Sequence, residues 1–425
     1  MDVRDFDFDL PPELIAQEPA RERTAARLLH LSRDNGAVTH STVADLPRFL
    51  RAGDLLVVNN TRVFPARLFG RRVPSGGRVE CLLIRRLPTE PGPASAEDLP
   101  VRQAPQSELG RTEVGPRSEC DQTEVGAQPD LDQSGAGPAK AGHYRRSSNR
   151  RHRPESDRSH VSVDSDSEFW EALMHPGQKL KPGARVVFEG PCTLRGEVLE
   201  RHFFGRRIVR LWTDDGSDVS AAIDAIGHVP LPPYIKRDAG AADRDRYQTM
   251  FARARGSVAA PTAGLHFTPA LLDALTQHGV EVAELTLHVG YGTFQPVRVD
   301  RVENHHLEAE HYEISDAAAA SINRALDAGR RVIAVGTTST RTLEAVGATS
   351  DGRIAPGAGA IDLFIYPGFV FRIIGGLLTN FHLPRSSLLM LVSAFAGRER
   401  VLAAYQAAIA DGYRFYSYGD AMLVI

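Results

Sequence analysis

Apolar positions in the first part of the chain come in short runs cut by glycine and proline. Leu55-Leu56-Val57-Val58 has the unbroken aliphatic character of a strand buried on both faces, and residues 79–84 form another such run. Residues 185–188, 194–199 and 207–212 continue the series. Short strands separated by frequent turn signals predict a small barrel or sandwich.

After Asp224 the rhythm changes to alternating strand and helix. Thr268 as N-cap and Pro269 at the first helical position open a helix that stops near Gly279, and residues 280–287 follow as a strand. Ser315 caps an alanine-rich helix that ends at Gly329, ahead of the fully apolar strand Val332-Ile333-Ala334-Val335. Residues 388–395 and 400–410 predict further helices. This is the pattern of an α/β fold with a substantial parallel sheet. Because the strand at 55–58 precedes the β-rich stretch, the expected architecture is a large α/β domain with an inserted small β-barrel. The α/β part takes residues 1–66 and 225–425, and the barrel takes 67–224.

Composition changes this picture at one place. From 89 to 167 the chain is rich in Pro, Gly, Ser, Gln and Glu, and Thr112-Glu113-Val114-Gly115 recurs as Thr123-Glu124-Val125-Gly126. Such a stretch buries too little apolar surface to offset its conformational entropy, so it is expected to be a disordered insertion within the barrel. The net charge of -3 exerts no overall pull on a polyanion, so any nucleic-acid partner must be met by a local basic patch. Cys81, Cys120 and Cys192 are far apart and form no C-x-x-C pair. That speaks against a disulfide framework and against a cysteine-built metal or iron–sulfur site. With an acidic first ten residues and no run of about twenty apolar residues, the expectation is a soluble cytoplasmic protein without a membrane segment.

Four segments concentrate groups capable of chemistry. Gly336-Thr337-Thr338-Ser339 lies between an apolar strand and a helix that carries Arg341, a turn that aims free N–H groups at an anion. A plain capped turn has the same sequence. In Ala259-Ala260-Pro261-Thr262-Ala263-Gly264-Leu265-His266-Phe267, small residues permit close backbone approach to a ligand, or merely tight packing around a buried histidine. Leu287-His288-Val289-Gly290-Tyr291-Gly292-Thr293-Phe294 closes a strand with two glycines around an aromatic, but lacks the spacing of a dinucleotide fingerprint. Thr379-Asn380-Phe381-His382-Leu383-Pro384-Arg385-Ser386 crowds an amide, an imidazole and a guanidinium ahead of a helix. His305, His306, Glu308, Glu310 and His311 do not have the H-E-x-x-H spacing that puts two imidazoles on one helical face, and are expected to be solvated loop residues rather than metal ligands. Arg244, Arg246, Arg253 and Arg255 flank Tyr247-Gln248-Thr249, as phosphate contacts or as a charged surface helix.

Taken together, these segments resemble the S-adenosylmethionine:tRNA ribosyltransferase-isomerase family. The resemblance also rests on Leu14-Ile15-Ala16-Gln17, on Gly53-Asp54-Leu55-Leu56-Val57-Val58-Asn59-Asn60-Thr61-Arg62 and on Pro230-Leu231-Pro232-Pro233-Tyr234-Ile235. Asp245-Arg246-Tyr247-Gln248-Thr249, Leu363-Phe364-Ile365-Tyr366-Pro367-Gly368 and Tyr418-Gly419-Asp420-Ala421-Met422 complete it, so that it covers nearly all the chain except the insertion. Departures are Ala26 for a usual serine, Ser387 for a threonine, Glu308 for a histidine and Ile361 for a threonine.

The resemblance implies an α/β domain carrying an inserted barrel. It also implies an enzyme that moves the ribosyl part of S-adenosylmethionine onto a 7-aminomethyl-7-deazaguanine wobble base of tRNA. S-adenosylmethionine is then a cosubstrate, tRNA the partner, and neither a metal nor an obligate protein partner is required. On that footing His266, His288 and His382 are expected in proton transfer or purine contacts, and Asp420 beside a positive charge. Asn59, Arg62, Thr337, Thr338 and Arg341 are expected to hold a carboxylate or phosphate. Thr262, Gly264, Gly290, Thr293, Asn380 and Arg385 complete the expected binding set. A conventional methyltransferase, which would show a glycine-rich loop after its first strand, and a non-catalytic tRNA-binding protein are the competing readings.

Overall fold

The computed structural model describes residues 1–88, 167–294 and 296–425. The insertion read at 89–167 lies outside the described residues except for Ser167. In chain order the first strands are β1 (Arg27–Leu31), β2 (Val38–Thr42), β3 (Leu55–Asn59) and the short β4 (Thr61–Val63). Next come β5 (Arg67–Val73), β6 (Arg78–Leu87), β7 (Glu168–His175), β8 (Arg185–Glu189), β9 (Thr193–Arg201) and β10 (Arg206–Thr213). Helices α1 (Val219–Ile226) and α2 (Asp243–Arg246), β11 (Ala254–Ser257), α3 (Pro269–Gln277), β12 (Glu281–Leu287) and β13 (Glu310–Ile314) follow. The chain closes with α4 (Asp316–Asp327), β14 (Val332–Val335), α5 (Thr337–Thr349), β15 (Gly357–Ile361), β16 (Gly376–Asn380), α6 (Ser387–Ala396), α7 (Arg398–Ala410) and β17 (Ala421–Val424).

Nine strands form one sheet in the order β15-β13-β12-β3-β14-β16-β17-β1-β2. Its centre, β12-β3-β14-β16, is parallel throughout. Parallel strands are covered on both faces, and the side chains sort accordingly. Leu55, Val57, Val332 and Ala334 pack with α4, α5, α6 and α7 on one face. Leu56, Val58, Ile333 and Val335 pack with Phe267, Leu271 and Leu275 of the α3 layer on the other. The four parallel strands therefore end at a common edge, the place where open α/β sheets bind ligands.

Strands β10-β7-β6-β5-β8-β9 close into an antiparallel barrel, so the barrel alternative holds over the sandwich. Alternate residues fill it, among them Leu68, Cys81, Trp170, Phe188, Val198 and Leu211. Burial pushes the Cys81 thiol up to about 12, which makes it an inert packing group. Val219, Ala222 and Ile223 of α1 belong to the same apolar cluster. The chain enters the barrel through Pro65 and leaves it through Gly227, and the two passages are tied by Arg67 N–H to His228 O at 3.1 Å and His228 N–H to Arg67 O at 2.9 Å. We propose Gly227 as the close of an inserted domain, because α1 runs through the expected bound at 224.

At Gly227 a β-carbon would stand 2.0 Å from the Pro65 carbonyl oxygen and 2.6 Å from that of Ile223. Both are backbone atoms and neither can swing aside. Gly227→Ala is expected to destabilise the protein by about 1–3 kcal/mol in urea unfolding, and an unchanged midpoint would show that the two passages are not packed as described.

Candidate active site

Three of the four central parallel strands, β3, β12 and β16, lead into polar side chains that are hydrogen-bonded within the protein. At the end of β3 the Asn59 amide donates to Leu287 O at 2.9 Å, while its oxygen accepts from Thr61 N–H at 3.0 Å and Leu287 N–H at 3.1 Å. One side chain thus fastens the ends of β3 and β12 together, and it reaches the Thr338 hydroxyl at 3.5 Å. Beyond β12, His288 Nδ1 sits 2.8 Å from the Thr61 hydroxyl. The next two amides donate to Ser257 Oγ at 2.7 Å and to Glu310 Oε1 at 2.9 Å.

Strand β14 ends differently. Gly336, at φ +93°, turns directly into α5, and no side chain caps the helix. The left-handed conformation favours glycine at this turn. The first amides of α5 and the positive end of its dipole are thus left without a side-chain cap. At the end of β16, Asn380 donates to His266 Nε2 at 3.2 Å and to Tyr416 O at 3.2 Å, while its oxygen accepts from the Thr262 hydroxyl at 2.9 Å. His382 Nε2 lies 2.8 Å from the Thr379 hydroxyl.

A cavity of about 80 Å³ lies among these groups, lined by Thr262, Thr337, Thr338, Asn380 and His382 together with Tyr247. Tyr234 and Tyr416 form part of the wall with ring centroids 4.0 Å apart, and the Tyr234 hydroxyl meets Ser417 Oγ at 2.5 Å. Small-molecule sites hold roughly 300–1,000 Å³, so entry of anything as large as a nucleoside requires part of this wall to move. Behind Asn380 a smaller pocket is lined by His266, Arg23, Arg246 and Ser417.

Five of the expected residues, Thr262, Thr337, Thr338, Asn380 and His382, therefore meet at one cavity. His266 orients Asn380 from behind, Asn59 backs Thr338, and His288 and Gly290 flank Val289, which lines the cavity. Gly264 packs against Thr249, where a β-carbon would come within 2.9 Å of Cγ2. The side chain of Thr293 lies outside the described residues.

Other expected residues do not line this cavity. Arg385 is half-exposed and pairs with Asp7 at 2.6 Å, pointing at the N-terminal segment. Arg62 is exposed on β4. Asp420 is buried, and its carboxylate accepts from the Arg27 and Arg414 amides at 3.0 and 2.8 Å with the Arg414 guanidinium 3.7 Å away. Arg341 donates from Nη1 to Glu310 Oε2 at 2.6 Å and from Nε to Leu363 O at 2.9 Å, while its Nη2 is buried with no hydrogen-bond partner among the described residues. Glu310, expected in a solvated loop, is buried, whereas His306, Glu308 and His311 are exposed. Of the flanking arginines, Arg244 and Arg246 donate to backbone carbonyls, and Arg253 and Arg255 pair with Glu284 and Asp224. Among the described residues no group of three His, Cys, Asp or Glu side chains could hold a metal ion, and no helix is long and apolar enough to cross a membrane.

A family model described as "Queuosine biosynthesis protein" matches residues 3–125 and 145–424. The chain belongs to that family. Relatives from Desulfitobacterium hafniense and Heliobacterium modesticaldum are 42% and 43% identical over 425 residues, covering 100% of both chains in each case. One from Sorangium cellulosum is 45% identical over 99% of this chain and 97% of its own. All three are named S-adenosylmethionine:tRNA ribosyltransferase-isomerase. The crystal structure of S-adenosylmethionine tRNA ribosyltransferase from Thermotoga maritima is 30% identical, covers 99% of this chain and 100% of its own, and superposes with a TM-score of 0.46.

For this member of the queuosine biosynthesis family, sequence reasoning missed Tyr234, Tyr247, Tyr416 and Ser417 as cavity residues. The first two stand in segments singled out above, but phenols in such segments read equally well as core. Glu310 was missed although Glu310, Tyr312 and Ile314 alternate with exposed or half-buried residues, a strand signal with Glu310 on the inner face.

The site histidines carry a pH signature. Burial lowers His382 to about 3, and burial, reinforced by Arg23 and Arg414, lowers His266 to about 4. Both are neutral in the folded protein at pH 7, whereas unfolded histidines take up protons below about 6.5. Because the unfolded chain then binds more protons, stability falls on acidification below that value and stops falling on this account near pH 3–4. Unfolding free energies from urea denaturation at pH 7 and pH 5 are expected to differ by about 1 kcal/mol or more per histidine. The difference should shrink in His382→Asn, and equal stability at both pH values would contradict the burial of these rings.

Proposed function

We propose that the protein transfers and isomerises the ribosyl moiety of S-adenosylmethionine onto 7-aminomethyl-7-deazaguanine at the wobble position of tRNA. The product is epoxyqueuosine-tRNA, with adenine and methionine released. Full-length similarity to enzymes named for this transfer supports the reading. The structural observation that carries it is the uncapped start of α5 opening onto a cavity shared with Thr262, Asn380 and His382. A helix start of this kind suits the α-carboxylate of the methionine portion, held by α5 amides and by the Thr337 and Thr338 hydroxyls.

The chemistry places further demands on the cavity. The sulfonium acidifies the neighbouring C5′–H, adenine leaves with a proton or hydrogen bonds to the purine, and the aminomethyl nitrogen must be neutral to attack. Closing the carbocycle and the epoxide breaks the bond from carbon to sulfur and releases methionine. Asn380 is held by Thr262, His266 and the Tyr416 carbonyl, so its amide presents a fixed orientation to a ligand. His382 is a neutral imidazole whose Nε2 contacts Thr379, a group suited to hydrogen bonding with the nucleoside. General acid–base help supplies ~10²–10⁴-fold, so most of the acceleration is assigned to orienting two large substrates. Movement of the cavity wall, needed for entry, also accounts for exclusion of water once the site has closed. With tRNA as partner, the enzyme works in the cytoplasm.

Incubation with S-adenosylmethionine and aminomethyl-deazaguanine tRNA is expected to release adenine and methionine in equal amounts and to yield the epoxide nucleoside by mass. Formation of S-adenosylhomocysteine with a methylated nucleoside would instead identify a methyltransferase, and tRNA binding without turnover a binding protein.

A further inference from the structure

Most polar side chains around the cavity are already satisfied by one another: Thr262 by Asn380, Thr379 by His382, and Tyr234 by Ser417. The hydroxyls of Tyr416 and Tyr247 are the exceptions, and Tyr247 is the more deeply buried of the two. Tyr247 follows the last residue of α2, is fully buried, and lines the cavity. Among the described residues its hydroxyl has no hydrogen-bond partner. The polar groups nearest it, the Ser417 side chain and the Ala260 backbone, do not meet it in hydrogen-bonding geometry.

The ring is nevertheless rigidly placed. Tyr418 packs edge-on against it at 5.8 Å and 83°. The Tyr418 hydroxyl donates to Asp243 at 2.7 Å, and Asp243 is itself paired with Arg237 at 2.6 Å and accepts from Gly240 N–H at 2.8 Å. An orphaned buried hydroxyl is unfavourable, and one left at the wall of a cavity can be satisfied by a bound ligand. Burial also raises the phenol's pKa well above its ordinary value, so the group keeps its proton and acts as a donor.

We propose that Tyr247 is a specificity-determining residue whose phenol O–H donates a hydrogen bond to an acceptor atom of the adenosine portion of S-adenosylmethionine. This rests on the function proposed above. With the carboxylate at α5, the acceptors left on the ligand belong to the ribose and the purine, and Tyr247 selects for them.

Tyr247→Phe keeps the ring and removes only the hydroxyl. The KM and calorimetric Kd for S-adenosylmethionine should rise about three- to tenfold with kcat little changed, while affinity for free methionine, which lacks the nucleoside, stays the same. The unliganded melting temperature should hold or rise, because an unpaired buried group has been removed. A hydroxyl with a purely structural role would do the reverse. Unchanged S-adenosylmethionine affinity, equal weakening towards methionine, or a lowered melting temperature or failure to fold would each overturn the assignment. If the wild-type protein neither binds S-adenosylmethionine nor releases adenine, the proposed function falls and this inference with it. If the wild type is active and the variant binds as tightly, the inference alone falls.

Discussion

The structure is organised around a helix start, that of α5, which has no side-chain cap. Helix α5 begins immediately after a fully buried strand, at a glycine whose left-handed conformation puts no side chain where a cap would stand. Elsewhere at this edge the polar groups close on one another, Asn59 with the Leu287 backbone and Asn380 with Thr262. Inside a sheet covered on both faces, unpaired polar groups are costly unless water or a ligand meets them. The parallel core supplies rigidity, and the open helix start supplies the direction from which an anion is drawn in.

That edge is held by an ion pair as well as by packing. Arg341 and Glu310 are both nearly inaccessible and meet at 2.6 Å. Glu310 also accepts from the Gly290 amide, so one carboxylate joins α5 to the loop that follows β12. Desolvation makes such a pair a poor source of net stability. Its effect here is to fix the position of the loop that leads from β12 past the cavity. Arg341, expected to bind an anion, is tied into this framework through Nε and Nη1, with Nη2 left buried and without a partner among the described residues.

Much of this was legible in the sequence where one residue's surroundings decide its role. Strands β3 and β14 are apolar on both sides and could be read directly, as could the Thr268 and Ser315 caps. Strand β2, with the half-polar sequence Val-Thr-His-Ser-Thr, and the glycine- and alanine-built β15 gave no such signal, because their pairing depends on partners distant in the chain. The same division runs through the site. Segments at strand ends were recognisable, and Thr262, Thr337, Thr338, Asn380 and His382 from three of them line one cavity. Two pairings that could not be read were Arg385 with Asp7 and Asp420 with the Arg27 amide, because those partners lie hundreds of residues away. Tyr247 could not be singled out, since a buried phenol is ordinary until its hydroxyl is found without a partner.

The most direct measurement is a crystal structure of the protein with S-adenosylmethionine bound. The account requires the methionine carboxylate at about 3 Å from the amides of Thr337 and Thr338, in a cavity enlarged by displacement of its wall. A ligand bound elsewhere, or one lying in the cavity with its carboxylate turned away from α5, would contradict it.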